Sequence, residues 1–216
     1  MKVKVTAKEL NVRPIPSVEN NDPIMVLKQG TEVEVLMEKD GWYNFTTGWI
    51  SAKYCEPIES VTGNLSDRVL NIAVSQIGFA EIPKGSNWGK HVEKYLKAVN
   101  ITVPSAWCMA FVYWCVDMAA KETKQINPLF KTGHVLTQWA KVPAKMKVST
   151  PKRGDIFIMD FGGGKGHTGF VASVQVDRIT TIEGNSNDEG SREGYEVCRK
   201  PGGRKISSIK GFIRLN

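Results

Sequence analysis

Near residue 60 the apolar residues of this chain stop alternating and begin to recur at helical spacing. Alternation puts one face of a strand into a core, whereas recurrence every three or four residues puts one stripe of a helix there. The change falls at a polar stretch, "ESVTGNL", residues 59–65, which reads as a linker. The chain is therefore expected to be two separately built units, residues 1–58 and 66–216. At 216 residues, 41% of them hydrophobic, it has ample material for both cores.

Before the linker every apolar run is short. Val33, Val35 and Met37 recur two apart with Glu32, Glu34 and Glu38 flanking, and Gln29-Gly30, Asp40-Gly41 and Thr47-Gly48 punctuate the runs as turns. That predicts a small all-β unit. After the linker, "SDRVLNIAVSQIG" predicts a helix with Ser66 as N-cap, Val69, Ile72, Ala73, Gln76 and Ile77 on one face, and Gly78 as its stop. "NWGKHVEKYLKAV" predicts a second helix with Val92, Tyr95, Leu96 and Val99 inward. "SAWCMAFVYWCVDM" predicts a third, capped by Ser105. "GDIFIMD", "HTGFVASVQV", "RITTIEGN", "GYEVCRK" and "IKGFIRL" then predict successive strands. Helices followed by strands give an α+β unit with an antiparallel sheet.

The four cysteines, at 55, 108, 115 and 198, are too few for a disulfide framework, and no C-x-x-C pair suggests zinc. Cys108 and Cys115 differ in position. Cys108 falls in the first turn of the third helix, where unpaired N–H groups and the helix dipole favour a thiolate. Cys115 lies two turns deeper, between Trp114 and Val116, and is expected to be a buried thiol. A thiol nucleophile needs a base, and the base an orienting acceptor. Of the three histidines, His91 sits in the polar run of the second helix and His134 at another helix start. His167 opens a strand after the glycine-rich "FGGGKG". The next strand ends "TIEGN", so Glu183 and Asn185, two apart, share a side. Either could stand beside His167.

"AWCMAFVYWCVDMA", "PKRGDIFIMDF", "GHTGFVASV" and "ITTIEGNSND", in that order, resemble the CHAP/NlpC-P60 group of papain-like peptidoglycan hydrolases, and its CHAP branch above all, over about residues 66–215. The resemblance implies Cys108 as nucleophile, His167 as general base, Glu183 as orienter and Asn185 as a further polar site residue. Trp107 stands where many CHAP domains have glutamine, so a side-chain oxyanion donor is missing; beside the nucleophile it is a candidate substrate contact, as is Lys165 of the glycine-rich loop. The acidic calcium loop of some CHAP enzymes is absent before Cys108, so no metal or other cofactor is expected. "LNVRPIPS", "LKQGTEVEVL", "DGWYNF" and "GWISAKY" resemble bacterial SH3-like (SH3b) domains over about residues 3–58. That family implies a small barrel that docks cell-wall peptides, with Trp42, Tyr43, Trp49 and Tyr54 as candidate groove residues. The alternative for Trp42 and Trp49 is packing within the barrel.

The expected partner is peptidoglycan, and the expected activity is cleavage of the muramoyl–L-alanine amide or of an amide within the stem peptide or cross-bridge. An acyltransferase using the same thiol and a non-catalytic wall-binding protein are the alternatives. Residues 1–60 carry a net charge of −2 and residues 61–216 one of +9, which suits an anionic partner. A nucleic-acid motif is missing, as is any apolar run long enough to span a membrane. The N-terminus shows no signal-peptide pattern. The expectation is therefore a cytoplasmically made enzyme that reaches the wall by release or delivery, as a phage endolysin or effector, or an exported autolysin whose leader has been trimmed.

Overall fold

The computed structural model describes residues 2–19, 21–58, 65–187 and 194–215. The chain divides into two compact units, residues 1–62 and 63–216.

The first unit is all-β: β1 (Lys2–Val5), β2 (Glu9–Val12), β3 (Met25–Lys28), β4 (Glu32–Glu34), β5 (Met37–Lys39), β6 (Trp42–Phe45), β7 (Gly48–Ser51) and β8 (Cys55–Ile58). They pair antiparallel in three small sheets, β4-β1-β8, β2-β3 and β5-β6-β7. Alternation supplies one core: Val3, Val5, Leu10, Val12, Leu27, Val33, Val35 and Ile50 are all buried. Met37 does not follow Val33 and Val35 inward, because β4 ends at Glu34 and β5, which begins at Met37, belongs to a different sheet. Asp40-Gly41 forms the two-residue β5–β6 turn with φ +49° and +78°, a conformation that Asp-Gly adopts at little cost.

The second unit begins with α1 (Leu65–Ser75), α2 (Lys90–Ala98), α3 (Cys108–Glu122) and α4 (Val135–Lys141). The strands β9 (Lys147–Val148), β10 (Ile156–Gly162), β11 (Lys165–Val174), β12 (Arg178–Ser186), β13 (Glu196–Lys205) and β14 (Gly211–Ile213) follow. They form one antiparallel six-stranded sheet in the order β13-β12-β11-β10-β14-β9. This is the α+β arrangement expected, with β9 an additional short edge strand. α3 is apolar almost all round, as a central helix must be. It packs on α1 and α2 and lies against β11 and β12. Each fully buried aromatic there, such as Phe111 or Phe170, contributes roughly 1.5–3 kcal/mol by leaving water.

α1 starts at Leu65, the last residue of the expected linker, and residues 59–64 lie outside the described residues. Ser66 is consequently not the N-cap: it sits inside the first turn, and its hydroxyl donates to the Leu215 carbonyl at 2.9 Å. A tertiary acceptor outcompetes a local one. Ile77 lies past the end of α1 and is exposed, whereas Gln76 is buried and accepts from the Tyr95 hydroxyl at 3.0 Å.

Candidate active site

α3 begins at Cys108 itself, with Trp107 at the N-cap position and no side-chain cap. Ser105 thus does not cap the helix. The helix-start environment expected for Cys108 nevertheless holds, and its N–H has no intrahelical acceptor. Cys108 is 6% exposed, and Cys115 is completely buried. Burial pushes the Cys115 thiol well up, which keeps it protonated.

His167 lies on β11, opposite Met159 of β10. Its Nε2 is 2.8 Å from Glu183 Oε2, and Cys108 lies close enough to act on the charge of its ring. An ionised carboxylate can only accept, so Nε2 carries a proton and Nδ1 is left for the sulfur. Burial pulls the imidazole towards lower pKa, but the hydrogen bonds and charges of Cys108 and Glu183 outweigh it and raise His167 to about 9.

Glu183 is completely buried and fully partnered. Besides His167 it accepts from Thr181 Oγ1 (2.6 Å), Ser186 Oγ (2.9 Å), Arg204 Nε (2.8 Å) and Arg204 Nη2 (2.5 Å). Burial alone would raise this carboxyl; the Arg204 fork and His167 hold it well below the usual carboxylate range. Gly169 makes room: a Cβ there would stand 2.6 Å from the Ile182 carbonyl oxygen and 2.9 Å from Glu183 Cγ.

Asn185 does not share Glu183's side. A register shift between Glu183 and Ser186 marks a bulge in β12, and Asn185 sits in it at φ +52°. The alternation that would have aimed it at His167 ends there. With its amide oriented so that both groups are satisfied, its oxygen accepts from the Trp107 N–H at 3.0 Å and its nitrogen donates to the Gly194 carbonyl at 2.8 Å. Asn185 therefore ties down the residue before Cys108 rather than the imidazole.

Trp107 is no substrate contact. Its ring is fully buried, stacked on Tyr95 at 5.5 Å, and its indole N–H donates to the buried Glu81 at 2.8 Å. Gly184 is needed beneath it, since a Cβ there would lie 2.8 Å from the indole. Lys165 does stand by the nucleophile: it lines a cleft of about 240 Å³ together with Cys108, His134 and Val135. His91 is stacked on Phe79 at 4.0 Å and does not line that cleft. In the first unit, Trp42 and Tyr54 share a groove of about 370 Å³ with Leu10, Arg13 and Val18. Tyr43 packs on the core instead, and Trp49 pairs through its backbone with Arg13; neither lines the groove, and neither Trp42 nor Trp49 is a core residue.

Cysteine, histidine and carboxylate thus meet at the junction of α3, β11 and β12, and the sequence around them can be compared with known proteins. Residues 100–185 match the family model of the CHAP domain. The matched CHAP segment holds Cys108, His167, Glu183 and Asn185, and it is shorter than the resemblance over residues 66–215. Helices packed on an antiparallel sheet, with Cys108 at a helix start, make up the papain-like fold. No curated protein matches the chain. Among solved structures, the chain is similar to NlpC2 from Trichomonas vaginalis, with 16% identity, a TM-score of 0.43, and coverage of 100% of this chain and 73% of that one. NlpC1 from the same organism is 15% identical at a TM-score of 0.42, covering 100% and 69%. An NlpC/P60 family protein from Bacillus cereus is 15% identical at a TM-score of 0.37, covering 99% and 63%.

Arg204 lies outside the CHAP segment, and sequence reasoning missed it. A buried ionised carboxylate demands a partner, but Arg199, Lys200, Arg204 and Lys205 are equally plausible in a basic strand. Replacing Arg204 with alanine leaves Glu183 buried with one charged partner fewer. The expected cost is about 3 kcal/mol of folding stability, read as a lower urea midpoint at unchanged slope. Arg204→Lys keeps the charge without the fork and should fall between the two. A wild-type midpoint for Arg204→Ala would show the fork to be no stronger than an exposed surface pair.

Proposed function

We propose that residues 66–216 are a cysteine hydrolase that cleaves an amide of peptidoglycan, as an N-acetylmuramoyl-L-alanine amidase or an endopeptidase. The supporting observation is His167 held between Cys108 and a buried, ionised Glu183 inside a CHAP-matching segment. In this reading His167 takes the thiol proton, or holds it as a thiolate–imidazolium pair, and the sulfur attacks the amide carbonyl. The Cys108 N–H, free of an intrahelical acceptor, stabilises the oxyanion. The Trp107 N–H cannot help, because Asn185 occupies it. His167 then protonates the leaving amine, and water hydrolyses the thioester with His167 as base. Glu183 holds the ring in the required tautomer and stabilises the imidazolium. We further propose that the first unit is an SH3b-like wall-docking module whose Trp42–Tyr54 groove receives the ligand.

The test is digestion of purified peptidoglycan by the full chain, with mass spectrometry of the released fragments. A new amine paired with a new carboxyl terminus is expected, and its position names the bond. Iodoacetamide should abolish the release and EDTA should not. Absence of any new terminus would overturn the hydrolase reading. Loss under EDTA, restored by a divalent ion, would overturn the metal-free mechanism. Trp42→Ala should lower the fraction of protein that sediments with intact walls; an unchanged fraction would overturn the docking role.

A further inference from the structure

The cleft beside Cys108 is built from two neighbouring stretches, residues 133–135 at the start of α4 and 164–166 at the start of β11. They are packed together: a Cβ on Gly166 would meet Val135 Cβ at 3.2 Å. His134 and Lys165 both line this cleft. The rest of the lining is small or aliphatic, with Ala106, Gly133 and Val135 leaving room for a small side chain. Among the described residues no acidic side chain lines the cleft. The one carboxylate on β10, Asp160, is already bound by Lys210 at 2.9 Å and by the Gly162 N–H at 3.0 Å.

The two polar side chains are both available as donors. Nδ1 of His134 accepts from the Thr137 N–H at 3.3 Å and lies 3.1 Å from the Thr137 hydroxyl. That commits Nδ1 to capping α4 and leaves the Nε2–H as the donor. Lys165 is exposed and adds a compact positive charge with three donors. An ammonium and an imidazole N–H in one cleft, over a small apolar floor and next to a nucleophile, complement an anion held close to the scissile carbonyl.

We propose that His134 and Lys165 form a carboxylate subsite beside Cys108, which selects peptides carrying a small aliphatic residue and a free carboxylate next to the amide to be cleaved. The substrate choice rests on the hydrolase reading above; the subsite itself does not. A carboxamide at the same place would lose the charge and is expected to be the poorer substrate.

The experiment measures alkylation of Cys108 in the full chain by iodoacetate and by iodoacetamide, followed by peptide mapping, which separates Cys108 from the other cysteines. The rate ratio of the anionic to the neutral reagent reports the local field and needs no wall substrate. Lys165→Ala should lower that ratio about fivefold, the size expected for removing one unit charge at close range. His134→Asn, which keeps a side-chain acceptor for the α4 cap, should lower it by a smaller factor. An unchanged ratio in both folded variants overturns the subsite. In a second arm, two synthetic stem peptides differing only as carboxylate and carboxamide are digested by the wild type. A lower KM for the carboxylate, lost in Lys165→Ala, is expected; equal KM values overturn the selection. A fallen alkylation ratio with neither peptide cleaved would overturn the hydrolase reading while supporting the subsite.

Discussion

Replacing Cys108 with alanine is expected to reduce wall hydrolysis to background, whereas replacing Cys115 leaves it measurable. Both residues lie on α3 and both are buried, so burial does not distinguish them. Their neighbours do. Cys108 lies at the helix start within electrostatic reach of His167, while Cys115 sits in the apolar core with its thiol pushed well up by burial. Loss of a nucleophile that works as a unit with its base costs roughly 10⁴-fold or more. Cys115→Ala should instead cost about 1–2 kcal/mol of stability through the small void it leaves. Turbidity loss of purified walls, with folding checked by circular dichroism, measures both. Equal loss of activity in two folded variants would remove Cys108 from the proposed role.

Replacing His167 with alanine should slow hydrolysis by roughly 100-fold or more, the usual contribution of a positioned general base. His91→Ala should remain active, since that ring is stacked on Phe79 away from the cleft. Glu183→Gln should cost less than His167→Ala, because Glu183 acts through the imidazole. Its signature is in the pH profile. Glu183 is among the groups that lift His167 to about 9, so the imidazolium that pairs with the thiolate and protonates the leaving amine should be lost, and the rate should fall, on the alkaline side near that pH in the wild type. Without the carboxylate charge that limb moves down towards neutrality. An unmoved limb in a folded Glu183→Gln variant would show that His167 is tuned by other groups.

The same shifts set the pH range of stability. His167 is raised from an ordinary 6.5 to about 9, so its contribution is complete below about 6.5 and is lost as pH rises through 9. Glu183 is depressed, so its contribution is present above about 4.5 and is lost as pH falls through its lowered value.

Much of this was readable from local pattern. The change of hydrophobic period at residue 60, the Asp40-Gly41 turn, the inward stripes of α2 and α3, and five of the six sheet strands in the second unit follow from spacing that any short window displays. Local pattern also offered Cys108, His167 and either Glu183 or Asn185 as neighbours, because a helix start, a strand start and the end of the next strand are local features; the choice of Glu183 rested on the resemblance. What a local window lacks is the identity of a distant competitor. Ser66 gives up its cap for the Leu215 carbonyl, 149 residues away. Asn185 leaves the alternation of β12 because a bulge turns it towards the Trp107 N–H and the Gly194 carbonyl. Trp107, adjacent to the nucleophile in sequence, is drawn inward because Glu81 satisfies its indole N–H and Tyr95 covers its face. Arg204 is one of several basic residues in its strand until the fold sets its guanidinium against Glu183. The sequence alone determined most of the elements and their order along the chain. Only the tertiary structure decided which polar groups satisfy one another, because a buried donor or acceptor takes whichever partner the packing of remote segments brings within about 3 Å.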